Sequence, residues 1–216
     1  MIDLHMHSIL SDGVLVPAEL ARRSEEIGCR YIAITDHVDQ SNVGYVVESI
    51  VRFAEDDDHD VKVLPGVEVT HVSPRKIADV VKAARAGGAR IVLVHGETIV
   101  EPVKKGTNDA AVDAGVDIIA HPGLLTPELA KKAASAGVAL ELSGRRGHSL
   151  TNGHVARTAM EAGTSLVFNT DSHAPGDLMD REMALKAVCG AGLNPDEAEA
   201  VLAHSQTLVE AFIGTV

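Results

Sequence analysis

The chain has no tryptophan, two tyrosines and three phenylalanines, so aromatic residues make up only 2% of its 216 residues. Proteins that grip single-stranded nucleic acid stack bases on such rings, and that platform is missing. Positive charge is also scarce: 19 Lys and Arg stand against 31 Asp and Glu, a net charge of −12. Nucleic-acid affinity comes mostly from cationic contacts to phosphates, so extended nucleic-acid binding is not expected. A local basic pocket for a small phosphorylated molecule is still compatible with this balance. No apolar run approaches the roughly 20 residues of a membrane helix, and no membrane partner is expected. The N-terminus enters strand-like sequence at Ile2 with no basic n-region or cleavage site. Cysteine is limited to Cys29 and Cys189, read as free thiols in a reducing compartment. A cytoplasmic protein is the resulting expectation. The length suits one domain with a substantial core, and without linkers or low-complexity tracts a single domain over 1–216 is expected.

Short apolar runs, most of them leading to a residue that can bind a metal, are what the chain does contain. Candidate strands are Met1–His5, Arg30–Thr35, Val61–Glu68, Ala89–His95, Val116–His121, Val138–Leu142 and Thr164–Thr170. They are mostly rich in Val, Ile and Leu, as strands buried on both faces should be. Helical patterns lie between them. Pro17–Ile27 and Pro74–Ala86 begin with Pro and stop at Gly28 and Gly87-Gly88. Thr126-Pro127 opens a helix ending at Gly137, and the stretch from Asn152 ends at Gly163. The units are about thirty residues long, the size of a βαβ module. Seven units are followed only by helical sequence, at about Arg181–Ala191, Asp196–His204 and Gln206–Ile213. The acidic run from Glu55 to Asp60, with His59 inside it, reads as a solvated loop.

Six of the seven tips carry His, Glu or Asp: His5 and His7, His37, Glu68, His95, His121, then Asp171 and His173. Alternate residues on a strand share a face, so His5 and His7 project together. Ligands repeated at C-terminal strand tips describe a barrel with its active site at one mouth. Imidazoles bind zinc, iron or manganese, and carboxylates add charge and can bridge two ions.

Asp3-Leu4-His5-Met6-His7-Ser8 with Ser11-Asp12-Gly13, Ile34-Thr35-Asp36-His37, Gly66-Val67-Glu68, His121-Pro122-Gly123 and Thr170-Asp171-Ser172-His173 resemble the motifs of the PHP family, named for polymerase and histidinol phosphatase. The resemblance covers about residues 1–175. It implies an α/β fold, a distorted seven-stranded (β/α)7 TIM-like barrel, and a metal-dependent phosphoesterase with three divalent ions. One ion would take His5, His7, Glu68 and Asp171. A second would take Glu68, His95 and His121, with Glu68 bridging, and a third Asp12, His37 and His173. Asp12 stands where some members have histidine. A carboxylate there favours a harder ion, so zinc, manganese and iron all stay open. Clustered ions neutralise phosphate oxygens and activate water, which suits the slow hydrolysis of phosphomonoesters. Glu68 and Asp171 are thus expected to be catalytic as well as ligating.

Other candidates surround this set. The loop Ser143-Gly144-Arg145-Arg146-Gly147-His148 follows the tip that lacks a ligand. Arg145 or Arg146 is a candidate to grip the substrate phosphate, because guanidinium matches it with a planar fork. His148 or His154 is a candidate general acid, and Thr151 or Asn152 a helix cap. Glu97 is expected either to contact water or substrate or to orient His95. His71, three residues past Glu68, is placed either to line the mouth or, the favoured reading, as an ordinary loop residue. Asp3 and Asp36 read as capping or ligand support, and His204 as unrelated to metal. The leading function is a phosphatase of a small phosphorylated metabolite, histidinol-phosphatase-like. Alternatives are a nucleotide phosphodiesterase or 3′–5′ exonuclease like polymerase-attached PHP domains, an RNA-binding scaffold like the ribonuclease P barrel subunits, and an amidohydrolase. The oligomeric state is left open.

Overall fold

The computed structural model describes residues 1–213, and within them a parallel sheet curls into a nearly closed barrel. Its strands are β1 (Ile2–Met6), β2 (Tyr31–Ile34), β3 (His37–Val38), β4 (Lys62–Val69), β5 (Ile91–His95), β6 (Ile118–Ala120), β7 (Ala139–Ser143) and β8 (Leu166–Asn169). The order is β1-β2-β4-β5-β6-β7-β8, and the two-residue β3 pairs with β4 beside the main path. That makes the seven expected staves plus a short continuation of the second. A parallel bridge from Met6 to Ser172 draws the last strand's extension against the first. The His7 N–H donates to Ser172 O and the Asp171 N–H to His5 O across the same seam.

Helices α1 (Pro17–Glu26), α2 (Val43–Asp56), α3 (Pro74–Gly87), α4 (Thr107–Asp113), α5 (Pro127–Ala136) and α6 (Asn152–Ala162) cover the outside, followed by α7 (Arg181–Gly190) and α8 (Pro195–Ile213). Helices α2 and α4 go beyond the elements expected from the sequence. In α2 the buried residues Val43, Val46, Val47 and Ile50 follow helical spacing, but no Pro opens it and no Gly follows its end. The acidic run begins as its last turn, at Glu55 and Asp56, and His59 is half-buried against Asp57 rather than freely exposed. The C-terminal helical sequence is unbroken in α8, because Ala198, Val201, Ser205 and Val209 form one buried stripe along it.

Two apolar clusters sit on the two sides of the sheet. The larger lies between the barrel and its helices, and the smaller fills the interior with Leu4, Ala33, Leu64, Ile91, Leu93, Ile118, Ala139 and Val167. Val209 of α8 joins this interior cluster, at the end of the barrel opposite the strand tips. Interior positions therefore read apolar below and polar above: Leu64-Gly66-Glu68, Ile91-Leu93-His95, Val167-Asn169-Asp171. Gly66 is confined in this layer, since a Cβ there would lie 2.6 Å from Ile91 Cγ2 and 2.7 Å from Thr35 Cγ2. Leu93 is fully buried directly beneath the polar layer. Leu93→Ala is expected to destabilise by about 2–5 kcal/mol in denaturant unfolding, the range for an interior leucine whose cavity cannot collapse.

Candidate metal centre

The strand tips converge because of two local departures from strand regularity. In β1, Leu4 belongs to the interior cluster and Met6 to the outer one, although they are two residues apart. Between them the register with β2 runs from Asp3–Ile32 to Met6–Ile34, three steps against two. This one-residue bulge turns His5 and His7 inward. At β6, Ile118 and Ala120 face inward, so a continued strand would send His121 outward. A φ of 29° at His121 turns it back, and its Nε2 lies 3.5 Å from Glu68 Oε1.

All nine expected donors meet at this mouth. His5 Nε2 is 3.0 Å from His7 Nε2, 3.4 Å from Glu68 Oε2 and 3.7 Å from Asp171 Oδ1. His7 Nε2 is 3.3 Å from Asp171 Oδ1. Asp12 Oδ1, on the loop after β1, lies 3.1 Å from His173 Nε2 and 3.5 Å from His37 Nε2. His95, His121 and His148 present a further close group of nitrogens. His7 Nδ1, both Glu68 oxygens, His95 Nδ1 and His121 Nδ1 are buried without a hydrogen-bond partner. Orphaned polar atoms at this density fit a site for metal, because burying them otherwise costs on the order of 1–3 kcal/mol each.

The protonation states fit the same chemistry. Burial would raise Glu68, yet His5, His95 and His37 hold it well below the usual carboxylate range. Asp171 is likewise held low, by His5 and His7 against its burial. Asp12 stays low through His173 and His37 despite partial desolvation. Burial pushes the His7 imidazole down to about 3. Burial also lowers His37, but Glu68 and Asp12 outweigh it and lift it to about 10. Ionised carboxylates and neutral imidazoles are the forms that bind metal, so a cation binding here would release the proton that Glu68 and Asp12 favour on His37.

Supporting residues fix the donors' orientation. Glu141 on β7 is a support that the sequence reading does not single out. It is fully buried, its Oε2 accepts from His5 Nδ1 at 2.8 Å and from Asn169 Nδ2 at 2.9 Å, and its Oε1 accepts from the His121 N–H at 3.3 Å. A charged residue inside a strand buried on both faces was the available signal. Loss of such an outer partner typically weakens metal binding 10–100-fold, so Glu141→Gln is expected to fall in that range in metal titrations. Asp3 accepts from the Thr170 N–H and Oγ1–H, and Asp36 from Ser8 and Ser11. Both are supports, as expected.

The remaining candidates divide clearly. Arg145 lines the mouth cavity, donates to Asp171 O at 3.3 Å and places Nε 3.9 Å from Asp171 Oδ2. Arg146 is exposed and outside that lining, since neighbouring residues of the loop point apart. His148 lines the cavity, stacks on His121 at 3.9 Å and bonds Thr98 Oγ1 through Nδ1. Burial and His121 lower it to about 4. His154 instead donates Nε2–H to Leu125 O outside the cavity, so its position does not suit a general acid. Thr151 holds the cap position of α6 without a side-chain capping bond, its hydroxyl donating instead to His148 O, while Asn152 clamps both backbone groups of Ser143. Glu97 is turned away: its Oε1 accepts from the Gly106 and Asn108 N–H groups and shapes its own loop. His71 is not an ordinary loop residue, because it lines the mouth. Glu101, absent from the expected set, stands there too, with Oε2 3.2 Å from His95 Nε2.

Among the described residues no helix is long and apolar enough to cross a membrane. In comparisons with known proteins, an uncharacterised protein of Methanocaldococcus jannaschii is 46% identical over 206 residues, covering 94% of each chain. The DNA polymerase/3′-5′ exonuclease PolX of Bacillus subtilis is 31% identical over 235 residues, covering 98% of this chain, which spans 40% of that protein. The fold recurs in a histidinol phosphate phosphatase from Lactococcus lactis, crystallised with zinc, L-histidinol and phosphate. There the TM-score is 0.65 at 16% identity, covering 89% of this chain and 94% of that one. It recurs also in a chain of an archaeal ribonuclease P seen by cryo-EM with mature tRNA. That match has a TM-score of 0.72 at 20% identity, covering 97% and 90%. The family model described as the PHP domain matches residues 3–98, the stretch that carries His5, His7, Asp12, His37, Glu68 and His95. The first half of the metal centre is thus that domain's own sequence, and the chain belongs to the PHP family.

Proposed function

We propose that this protein is a metal-dependent phosphoesterase and, more specifically, a phosphatase of a small phosphomonoester. The observation that carries this reading is the convergence of nine donors, six of them buried, on a cavity of about 240 Å³ with Arg145 and His148 in its wall. Three divalent ions fit the donor set: one at His5, His7, Glu68 and Asp171, one at Glu68, His95 and His121, one at Asp12, His37 and His173. Zinc, manganese and iron all suit it. Such ions, when bound, supply charge to neutralise phosphate oxygens and an activated water near neutral pH.

The chain's own residues do the rest. Arg145 exchanges its bond to Asp171 O for a phosphate oxygen and orients the ester. His148, held through Nδ1 by Thr98, presents Nε2 to the cavity and hands the leaving alkoxide its proton. An arriving phosphate anion favours the protonated imidazole, which counters the effect of its burial. Glu141 keeps His5 aimed at the cluster. The cavity is small by the standards of ligand sites, which favours a compact metabolite. A cytoplasmic location belongs to the same reading, supported by the free thiols of Cys29 and Cys189.

A second reading is a nucleotide phosphodiesterase or 3′–5′ exonuclease, favoured by the identity to PolX. The acidic surface and narrow cavity argue for mononucleotides over long strands in that case. An RNA-binding scaffold has no need of nine convergent donors. The experiment is phosphate release from histidinol phosphate and nucleotides, and chromatography of the products of a single-stranded oligonucleotide, by protein reconstituted separately with manganese, iron and zinc. Monoester hydrolysis is expected. Cleavage of the oligonucleotide alone selects the second reading, and inactivity of every metal-loaded form on all substrates removes both.

A further inference from the structure

One group of donors at the mouth lies beyond the nine. His71 follows β4, and Glu101 lies on the loop after β5. Glu101 Oε2 is 3.3 Å from His71 Nε2 and 3.2 Å from His95 Nε2. One donor atom from each residue lies within 4.8 Å of the others. Donors roughly 2.0–2.2 Å from a tetrahedral ion stand about 3.3–3.6 Å apart, so the Glu101 oxygen lies close to that spacing from both imidazole nitrogens.

The backbone adds an independent observation. Among the described residues three non-glycine positions have left-handed φ: His121 at 29°, Asp171 at 54° and His71 at 52°. Such conformations persist where the surroundings enforce them and cluster at functional sites. Two of the three are members of the nine-donor cluster, and His71 is the third. His95 would serve both groups as an imidazolate, with Nε2 facing Glu101, Nδ1 buried without a partner, and its N–H proton released to solvent as the second cation binds.

We propose that His71, His95 and Glu101 form a further divalent-cation site at the mouth of the barrel, on the solvent side of the buried cluster. The inference rests on the reading of that cluster as a metal centre. Two imidazoles and one carboxylate suit zinc, iron or manganese. The His71 and Glu101 side chains are 43% and 38% exposed while His95 is 3% exposed, so an ion here exchanges with solvent more readily than one held by the buried His5, His7, Glu68 and Asp171. Three protein donors leave coordination positions open to the cavity that Arg145 also lines. The site would therefore take an anionic oxygen of a bound ligand.

The test is equilibrium dialysis of the full chain against graded free zinc and manganese, with bound metal measured, for wild type, His71→Ala, Glu101→Ala and Glu101→Gln. Circular dichroism checks that each variant is folded, and both positions are exposed enough to tolerate change. Each variant is expected to lose the most weakly held ion, or to bind it at least about 10-fold more weakly, while the tighter ions are kept. Identical stoichiometry and affinities in all variants overturn the site. A change in the Glu101 variants but none in His71→Ala also overturns it, leaving Glu101 as a hydrogen-bond partner of His95. Failure of wild type to take up any metal removes the proposed function together with this inference, whereas a loaded wild type with unaltered variants removes the inference alone.

Discussion

Glu68→Gln is expected to abolish metal loading and turnover together. The side chain is fully buried, and both of its oxygens lack a hydrogen-bond partner. Around it stand His37 Nδ1 at 2.8 Å, His5 Nε2 at 3.4 Å, His121 Nε2 at 3.5 Å and His7 Nε2 at 3.6 Å. Glutamine keeps the volume, so the change is chiefly one of charge and of one oxygen donor. If Glu68 bridges two ions, the variant should lose at least two ions per chain in elemental analysis. Turnover should fall on the order of 10²–10³-fold or more, the cost of removing a preorganised electrostatic group. Metal stoichiometry equal to wild type would refute the bridging role even if activity fell.

Arg145→Ala carries the next largest expectation. A hydrogen bond to a charged partner contributes about 1.5–3 kcal/mol, which corresponds to roughly 10–150-fold in binding. KM for a phosphomonoester should rise by about that factor, with Arg145→Lys recovering part of it as a point charge without the planar fork. Arg146→Ala serves as the control, since its side chain is exposed and outside the cavity lining, and its KM should stay close to wild type. An unchanged KM in Arg145→Ala would remove the assignment of this residue to the phosphate.

Much of the fold was legible in local pattern. The parallel strands are short Val- and Ile-rich runs because both faces are buried, and several helices announce themselves through Pro at the start and Gly at the end. Gly88, Gly137 and Gly163 indeed stop their helices with left-handed backbone. Helix α2 is less legible, although Val43, Val46, Val47 and Ile50 repeat with helical spacing. It begins without Pro and ends in an acidic run that resembles a loop, so periodicity alone marks it in the sequence.

The site shows the same division. Nine candidate donors were readable because each ends or closely follows a strand, and strand tips at one face of a barrel must converge. Their supports were less visible. Glu141 sits in the middle of an apolar strand, and its partners His5, Asn169 and His121 come from three other strand units. Glu97 and Glu101 occupy the same loop and have the same chemistry. Only the path of that loop sends Glu101 to the cavity and Glu97 to the Gly106 and Asn108 amides.

What the sequence by itself determined is the barrel, its polarity and the identity of the clustered donors, because these follow from local periodicity and from the chemistry of His, Asp and Glu. The tertiary structure alone decided which donors face one another. It did so through the bulge in β1, the left-handed backbone at His71, His121 and Asp171, and the divergence of Arg145 from Arg146. Each depends on contacts between segments distant in the chain, and those contacts leave no periodic trace in the residues that make them.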